Sequence, residues 1–245
     1  MRKRTLVLAL ALLSACDGAP EHLTSAEPGA RPLLTTCATP SIVSPTSNQV
    51  IYTSTVQLKW TVGDCANPKD VEVYDNATST LVFSDATAEF ETFSTSGVFT
   101  YSSVNLSGYT AGQYYKWRTR SRDFPDTTNV GPWSGYGVFG LPMPAPATTA
   151  SVVSGNPTLS WPAVTGATYR IHRMADYVGT WDTGWDTASG TGYSDPGTTV
   201  TGYVGTTQPS SGKWVAYRVV AVSSAGIASL PGTIHYFSYT GFIIV

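Results

Sequence analysis

QYYKWRTRSRD at residues 113–123, followed by GPWSGYGVFGL at 131–141, decides how the rest of the chain is read. In the first segment Tyr115, Trp117, Thr119 and Ser121 fall on one face of an extended strand, and Lys116, Arg118, Arg120 and Arg122 on the other. A repeat of two marks a strand with one face on a core and the other in water. Gly131-Pro132 turns the chain, and Trp133, Tyr136, Val138 and Phe139 read as the neighbouring strand. Arg118, Arg120 and Trp133 read first as a surface ladder that covers the sheet, a guanidinium over an indole gaining roughly 0.5–2 kcal/mol. The other reading of the same three residues is an anion or partner site.

Working outward, residues 55–62 alternate most cleanly, with Val56, Leu58, Trp60 and Val62 on one side. Short strands also read at 70–75, 81–83 and 98–104, which gives about seven strands before residue 141, with turn signals between them. That spacing predicts a β-sandwich. Composition agrees: Ser, Thr, Gly and Pro abound and only 12% of residues are charged, so helix formers are few. LPMPAP at 141–146 reads as a short, stiff linker. Beyond it the pattern returns, Leu58-Lys59-Trp60 becoming Leu159-Ser160-Trp161 and Trp117-Arg118 becoming Tyr217-Arg218. The expected domains are therefore 37–141 and 147–245, joined by 142–146.

The N-terminus has a different character. Arg2, Lys3 and Arg4 precede a short apolar run from Leu6 to Leu13, too short to span a bilayer. Leu13-Ser14-Ala15-Cys16 resembles the lipobox of bacterial lipoproteins. That resemblance implies a signal peptide at 1–15, lipidation of Cys16, a membrane partner through the lipid anchor, and residence in the cell envelope. An ordinary secretory signal peptide is the alternative. Asp17 resembles the inner-membrane retention signal of enterobacterial lipoproteins, which leaves the membrane open, the outer membrane or cell surface being favoured. Residues 17–36 hold three prolines and two glycines without apolar periodicity, so 16–36 reads as a lipidated tether reaching roughly 25 Å. Losing Arg2, Lys3 and Arg4 leaves 11 of 14 basic residues against 16 acidic ones, a net charge near −5. This argues against a nucleic-acid partner.

Lipidation of Cys16 leaves Cys37 and Cys65, an even remainder in an oxidising compartment. They read as one disulfide, two free buried thiols being the alternative.

Pro157 to Arg173 (PTLSWPAVTGATYRIHR) resembles strand B, the following turn and strand C of fibronectin type III domains. Residues 112–139 are similar to the family's strands F and G, and VAYRVVAVSSAG at 215–226 to strand F and its turn. The resemblance implies an all-β chain of two tandem immunoglobulin-like sandwiches with Trp60 and Trp161 at the core centres. It also places Tyr115 at the family's tyrosine corner, where its hydroxyl binds backbone across a turn. Val215 stands at that position in the second copy. A disulfide is not a general feature of the family.

No Gly-x-Ser-x-Gly or His-Glu-x-x-His motif occurs, and no metal or cofactor is expected. Asp182 and Asp186 would suit glycoside hydrolysis only in a deep cleft, so the chain reads as a non-enzyme. The most unusual stretch is Trp181-Asp182-Thr183-Gly184-Trp185-Asp186-Thr187. Residues four apart on a strand share a face, roughly 13 Å apart, so Trp181 and Trp185 could stack on sugar rings while Asp182 and Asp186 take hydroxyls. Packing on the domain's own edge or on the first domain, or a Ca²⁺ loop using Asp176, Asp182 and Asp186, are the other readings. The expected role is interaction, adhesion or scaffolding with an envelope or extracellular protein or glycan. A carbohydrate-binding module of an extracellular polysaccharide-processing system is the alternative.

Overall fold

The computed structural model describes residues 37–61, 69–88, 92–93, 97–122 and 130–240, all within one compact unit that runs from Leu34 to Val245. Among these residues every regular element is a strand. In the N-terminal half they are β1 (Ser41–Ser44), β2 (Gln49–Val50), β3 (Thr55–Thr61), β4 (Lys69–Asp75), β5 (Leu81–Ala88), β6 (Thr92–Phe93), β7 (Val98–Asn105), β8 (Tyr114–Ser121) and β9 (Gly137–Gly140). The C-terminal half holds β10 (Thr149–Val153), β11 (Asn156–Ser160), β12 (Ala167–Ala175), β13 (Asp182–Ala188), β14 (Gly192–Ser194), β15 (Gly202–Gly205), β16 (Trp214–Ser223) and β17 (His235–Ser238).

The first half forms two sheets, β1-β3-β7-β6 and β2-β9-β8-β4-β5. The second forms β10-β11-β14 and β13-β12-β16-β17-β15. No sheet draws strands from both halves, so the chain is a tandem of two sandwiches. β2 and β9 are parallel, while the other pairs are antiparallel.

Each sandwich is built on the alternation read from sequence. Val56, Leu58 and Trp60 of β3 meet Val71, Val73, Tyr115, Trp117 and Phe139 of the facing sheet. Trp60 and Trp117 meet edge to face, centroids 6.3 Å apart, a preferred aromatic geometry. The Trp117 indole nitrogen donates to the Pro45 carbonyl at 3.0 Å. Gly137 makes that bond possible, because a Cβ there would run into both the carbonyl oxygen and the indole nitrogen. The Tyr115 hydroxyl accepts from the Thr110 amide at 2.7 Å and donates to the Thr110 carbonyl at 3.2 Å. In the second sandwich Tyr169 does comparable work at a different turn, accepting from Val164 N at 2.7 Å.

β16 is less simple than its alternation. Val215, Tyr217, Val219 and Ala221 fill the second core, but Trp214, Ala216, Val220 and Val222 on the opposite face are also buried. Trp214, Ala216 and Tyr236 form a small outer cluster, covered by Met174, Trp181 and Ile234.

The two sandwiches touch where glycines leave room. A Cβ on Gly112 would lie 2.8 Å from the Ser223 Cβ, and one on Gly140 would lie 2.9 Å from the Ile227 Cδ1. Ser223 pairs with Ala167 at the start of β12, and Val215 with Ala175 at its end. Ala175 thus lies roughly 26 Å along the strand from the junction, at about 3.3 Å per residue.

Cys37 is buried and disulfide-bonded; Cys65 and Cys16 lie outside the described residues, as do residues 17–36 and the apolar segment 242–245.

His235 is buried between two hydroxyls, with Thr148 Oγ1 2.9 Å from Nε2 and Tyr203 Oη 3.0 Å from Nδ1. Burial holds its pKa below the ordinary value, against a smaller opposing effect of a hydrogen bond to the Thr148 backbone. His172 is shifted the same way by burial and by Arg218 and Arg170. Below about pH 6.5 the unfolded chain therefore binds more protons than the folded one. Stability is complete above that pH and falls as the pH drops toward the folded values. Melting temperatures at pH 7.5 and 5.0 should show the decline, and His235→Gln should flatten it. An unchanged slope in the variant would show that His235 does not contribute.

Candidate functional site

Two surfaces gather the residues singled out in the sequence. The first is the outer face of β8. Its partner strand β4 sets Asp70 opposite Arg120, Glu72 opposite Arg118 and Tyr74 opposite Lys116. Arg118 donates to Glu72 and to the Tyr74 hydroxyl, both at 2.8 Å. Arg120 and Arg122 both pair with the buried Asp70 carboxylate. The Trp133 ring lies 4.2 Å from the Arg118 guanidinium and 4.4 Å from that of Arg120, while Tyr136 adds a further ring beside Arg118 and Lys116. These guanidinium groups are committed to the sheet's own carboxylates and rings.

Trp133 does not reach this position on a strand, since β9 begins only at Gly137. Ser134 places it. The Ser134 hydroxyl accepts from Thr119 N at 3.0 Å and donates to the Gly135 carbonyl at 2.7 Å, while Ser134 N donates to Thr119 O at 2.8 Å. Ser229 repeats the arrangement with Ala221 and Leu230 at 3.0, 2.6 and 2.8 Å. Sequence reasoning missed both serines, whose neighbours Trp133-Ser134-Gly135 and Ala228-Ser229-Leu230 share only the serine itself.

The second surface lies at the end of the second sandwich remote from the junction. Arg173, Ala175, Val178, Thr180, Trp181, Asp182 and Trp185 line a cleft of about 170 Å³. Asp186 lies outside it and stays exposed, its Oδ1 accepting from Thr187 N. The two indoles do not share one face. Between Ile171↔Asp186 and Arg173↔Asp182 the register shifts, four residues of β13 spanning two of β12. This bulge turns Trp185 inward onto the main core, its ring 4.2 Å from the Arg173 guanidinium. Trp181 lies over Arg218 at 4.1 Å on the outer face. Both indoles are half-buried, and Trp185 Nε1 donates to Tyr193 Oη at 3.0 Å. Asp182 is exposed, one carboxylate oxygen accepting from Gly184 N at 2.9 Å.

Beneath the cleft is a buried polar network absent from the sequence reading. Asp195 accepts from the Tyr217 hydroxyl at 2.6 Å, from Thr198 Oγ1 at 2.8 Å and from Gly197 N at 3.0 Å. Arg173 donates to Tyr217 and Thr198 at 3.3 Å and lies 3.8 Å from the carboxylate. Burial, reinforced by Asp195, pushes the Tyr217 phenol far above its usual range. The one signal available was periodicity, which puts Arg173 in phase with the inward Tyr169 and Ile171.

Among the described residues no group of three His, Cys, Asp or Glu side chains is placed to hold a metal. Asp176, named for a Ca²⁺ loop, instead accepts from the Tyr239 hydroxyl at 2.6 Å.

No protein-family model and no curated protein matches the chain. Among solved structures, a two-domain fibronectin type III segment of chicken tenascin aligns with 82% of this chain and 98% of its own, at 13% identity and a TM-score of 0.45. Fibronectin(III)-like modules of Clostridium thermocellum CbhA align with 82% and 94%, at 15% identity and a TM-score of 0.34. The FN1–FN3 domains of chicken CNTN1 align with 84% and 66%, at 12% and 0.31. The tandem of two all-β sandwiches is shown by the chain's own four sheets. Both copies carry a cleft, but the one in the first, about 230 Å³ around Ile51, Leu106 and Leu141, has no charged residue in its lining, whereas that of the second joins Arg173 and Asp182 to two indoles.

Proposed function

We propose that this chain is a non-enzymatic lipoprotein of the bacterial cell envelope, anchored through Cys16 after removal of residues 1–15. It acts in interaction, adhesion or scaffolding, at the outer membrane or cell surface. A Cys37–Cys65 disulfide fastens the start of its first domain. One observation carries the reading: the half-buried aromatics and exposed carboxylate of the second sandwich collect at the end away from the junction, and so far along the chain from the anchor. The first sandwich's ladder, with its charges already committed, serves as cover for the sheet.

Photocrosslinking in native cells tests this, with the crosslinker at Val178 on the cleft rim or at Tyr136 on the ladder face, both exposed. Adducts should form from Val178 and not from Tyr136, and Cys16→Ser should release the protein from the membrane fraction. Adducts from Tyr136 alone would overturn the assignment of the contact surface. The second reading, a carbohydrate-binding module of an extracellular polysaccharide-processing system, draws on the two tryptophans at that cleft.

A further inference from the structure

We infer that the cleft between Trp181 and Trp185 binds a single neutral pyranose, the terminal unit of a glycan, rather than a charged group or the interior of a chain. This rests on the reading of the cleft as the contact site.

Size is the first constraint. A volume of about 170 Å³ lies below the roughly 300–1,000 Å³ of pockets for drug-sized ligands, and admits one ring.

The lining is the second. Trp181, Trp185, Ala175 and Val178 offer apolar surface for the C–H face of a sugar, while Thr180, Asp182 and Arg173 offer polar atoms for its hydroxyls. Asp182 has one oxygen on Gly184 N and its other oxygen has no hydrogen-bond partner among the described residues, so it can accept from a hydroxyl. Arg173 spends Nε and Nη2 on Tyr217 and Thr198, which leaves Nη1 as a donor.

Charge is the third. Asp195 already answers Arg173, and Asp182 adds negative charge at the mouth, so an anionic ligand gains little. A cationic ligand beside these indoles would be repelled by the Arg173 and Arg218 guanidinium groups that lie against their other faces. A neutral polyhydroxyl ring is left as the guest that both charges accept.

The indoles are also fixed in advance. Trp185 is held by Arg173 and by Tyr193, and Trp181 by Arg218 and the outer cluster. Binding therefore spends little on ordering them.

The test is saturation-transfer NMR and calorimetry on the full mature chain. The probes are the methyl glycosides of glucose, galactose, mannose and N-acetylglucosamine, with glucuronate and choline as charged comparators. At least one neutral pyranoside should bind. Asp182→Ala and the rim variant Val178→Asp should each weaken it about tenfold or more, with melting temperature unchanged. Binding of none of the neutral probes, equal binding of a charged one, or indifference to Asp182→Ala would overturn the inference. If Val178 crosslinks persist in cells while no pyranoside competes, the contact surface stands and the sugar assignment falls. If neither is seen, both fall.

Discussion

Asp195→Ala is expected to lower the stability of the second sandwich by about 3–5 kcal/mol, the usual cost of stranding one member of a buried ion pair. Asp195 is the acceptor on which Tyr217, Thr198 and Gly197 converge, and the only carboxylate paired with Arg173 among the described residues. Its loss leaves Arg173, only 3% exposed, without a carboxylate partner, and removes the acceptor from a phenol within the core. Urea unfolding of the mature chain would measure the loss. Removing both charges together, as Arg173→Met with Asp195→Leu, should recover much of it, because apolar groups of similar size avoid the desolvation cost. A single variant no worse than the double would show that the pair is not coupled as the geometry requires.

Trp117→Ala should cost the first sandwich about 3–5 kcal/mol, the range for truncating a buried aromatic. Trp117 is fully buried against Trp60, and its indole is the donor to Pro45. Trp117→Phe separates the two contributions, keeping most of the volume while orphaning the carbonyl, a loss of about 1–3 kcal/mol. Equal losses for the two variants would assign the effect to the hydrogen bond rather than to packing.

The residues behind these effects differ in how openly the sequence shows them. Trp117 and Trp60 are visible because a strict two-residue repeat places them inward on strands with an outward polar face. Tyr115 is visible as an inward residue for the same reason, while its corner role is implied only by the resemblance to fibronectin type III domains. Arg173, Asp195, Thr198 and Tyr217 are not, because they lie on different segments and meet only once β12 and β16 pair. The tryptophan pair was misplaced by the rule that found the strands. Counting by two puts Trp181 and Trp185 on one face, and the bulge in β13 separates them. The cleft they border, which excludes Asp186, is a product of that irregularity.

The serine contacts next to β8 and β16 bear on how such a chain can change. Thr119 and Ser134 are 15 residues apart, whereas Ala221 and Ser229 are 8, yet the side-chain and backbone bonds that join them are alike. The alignment of the final strand is therefore set by the serine contact and the backbone bonds beside it, such as Gly131 N to Ser121 O, and not by how many residues separate the two ends. The number of residues between Arg122 and Val130 is thus free to change without taking the final strand out of frame.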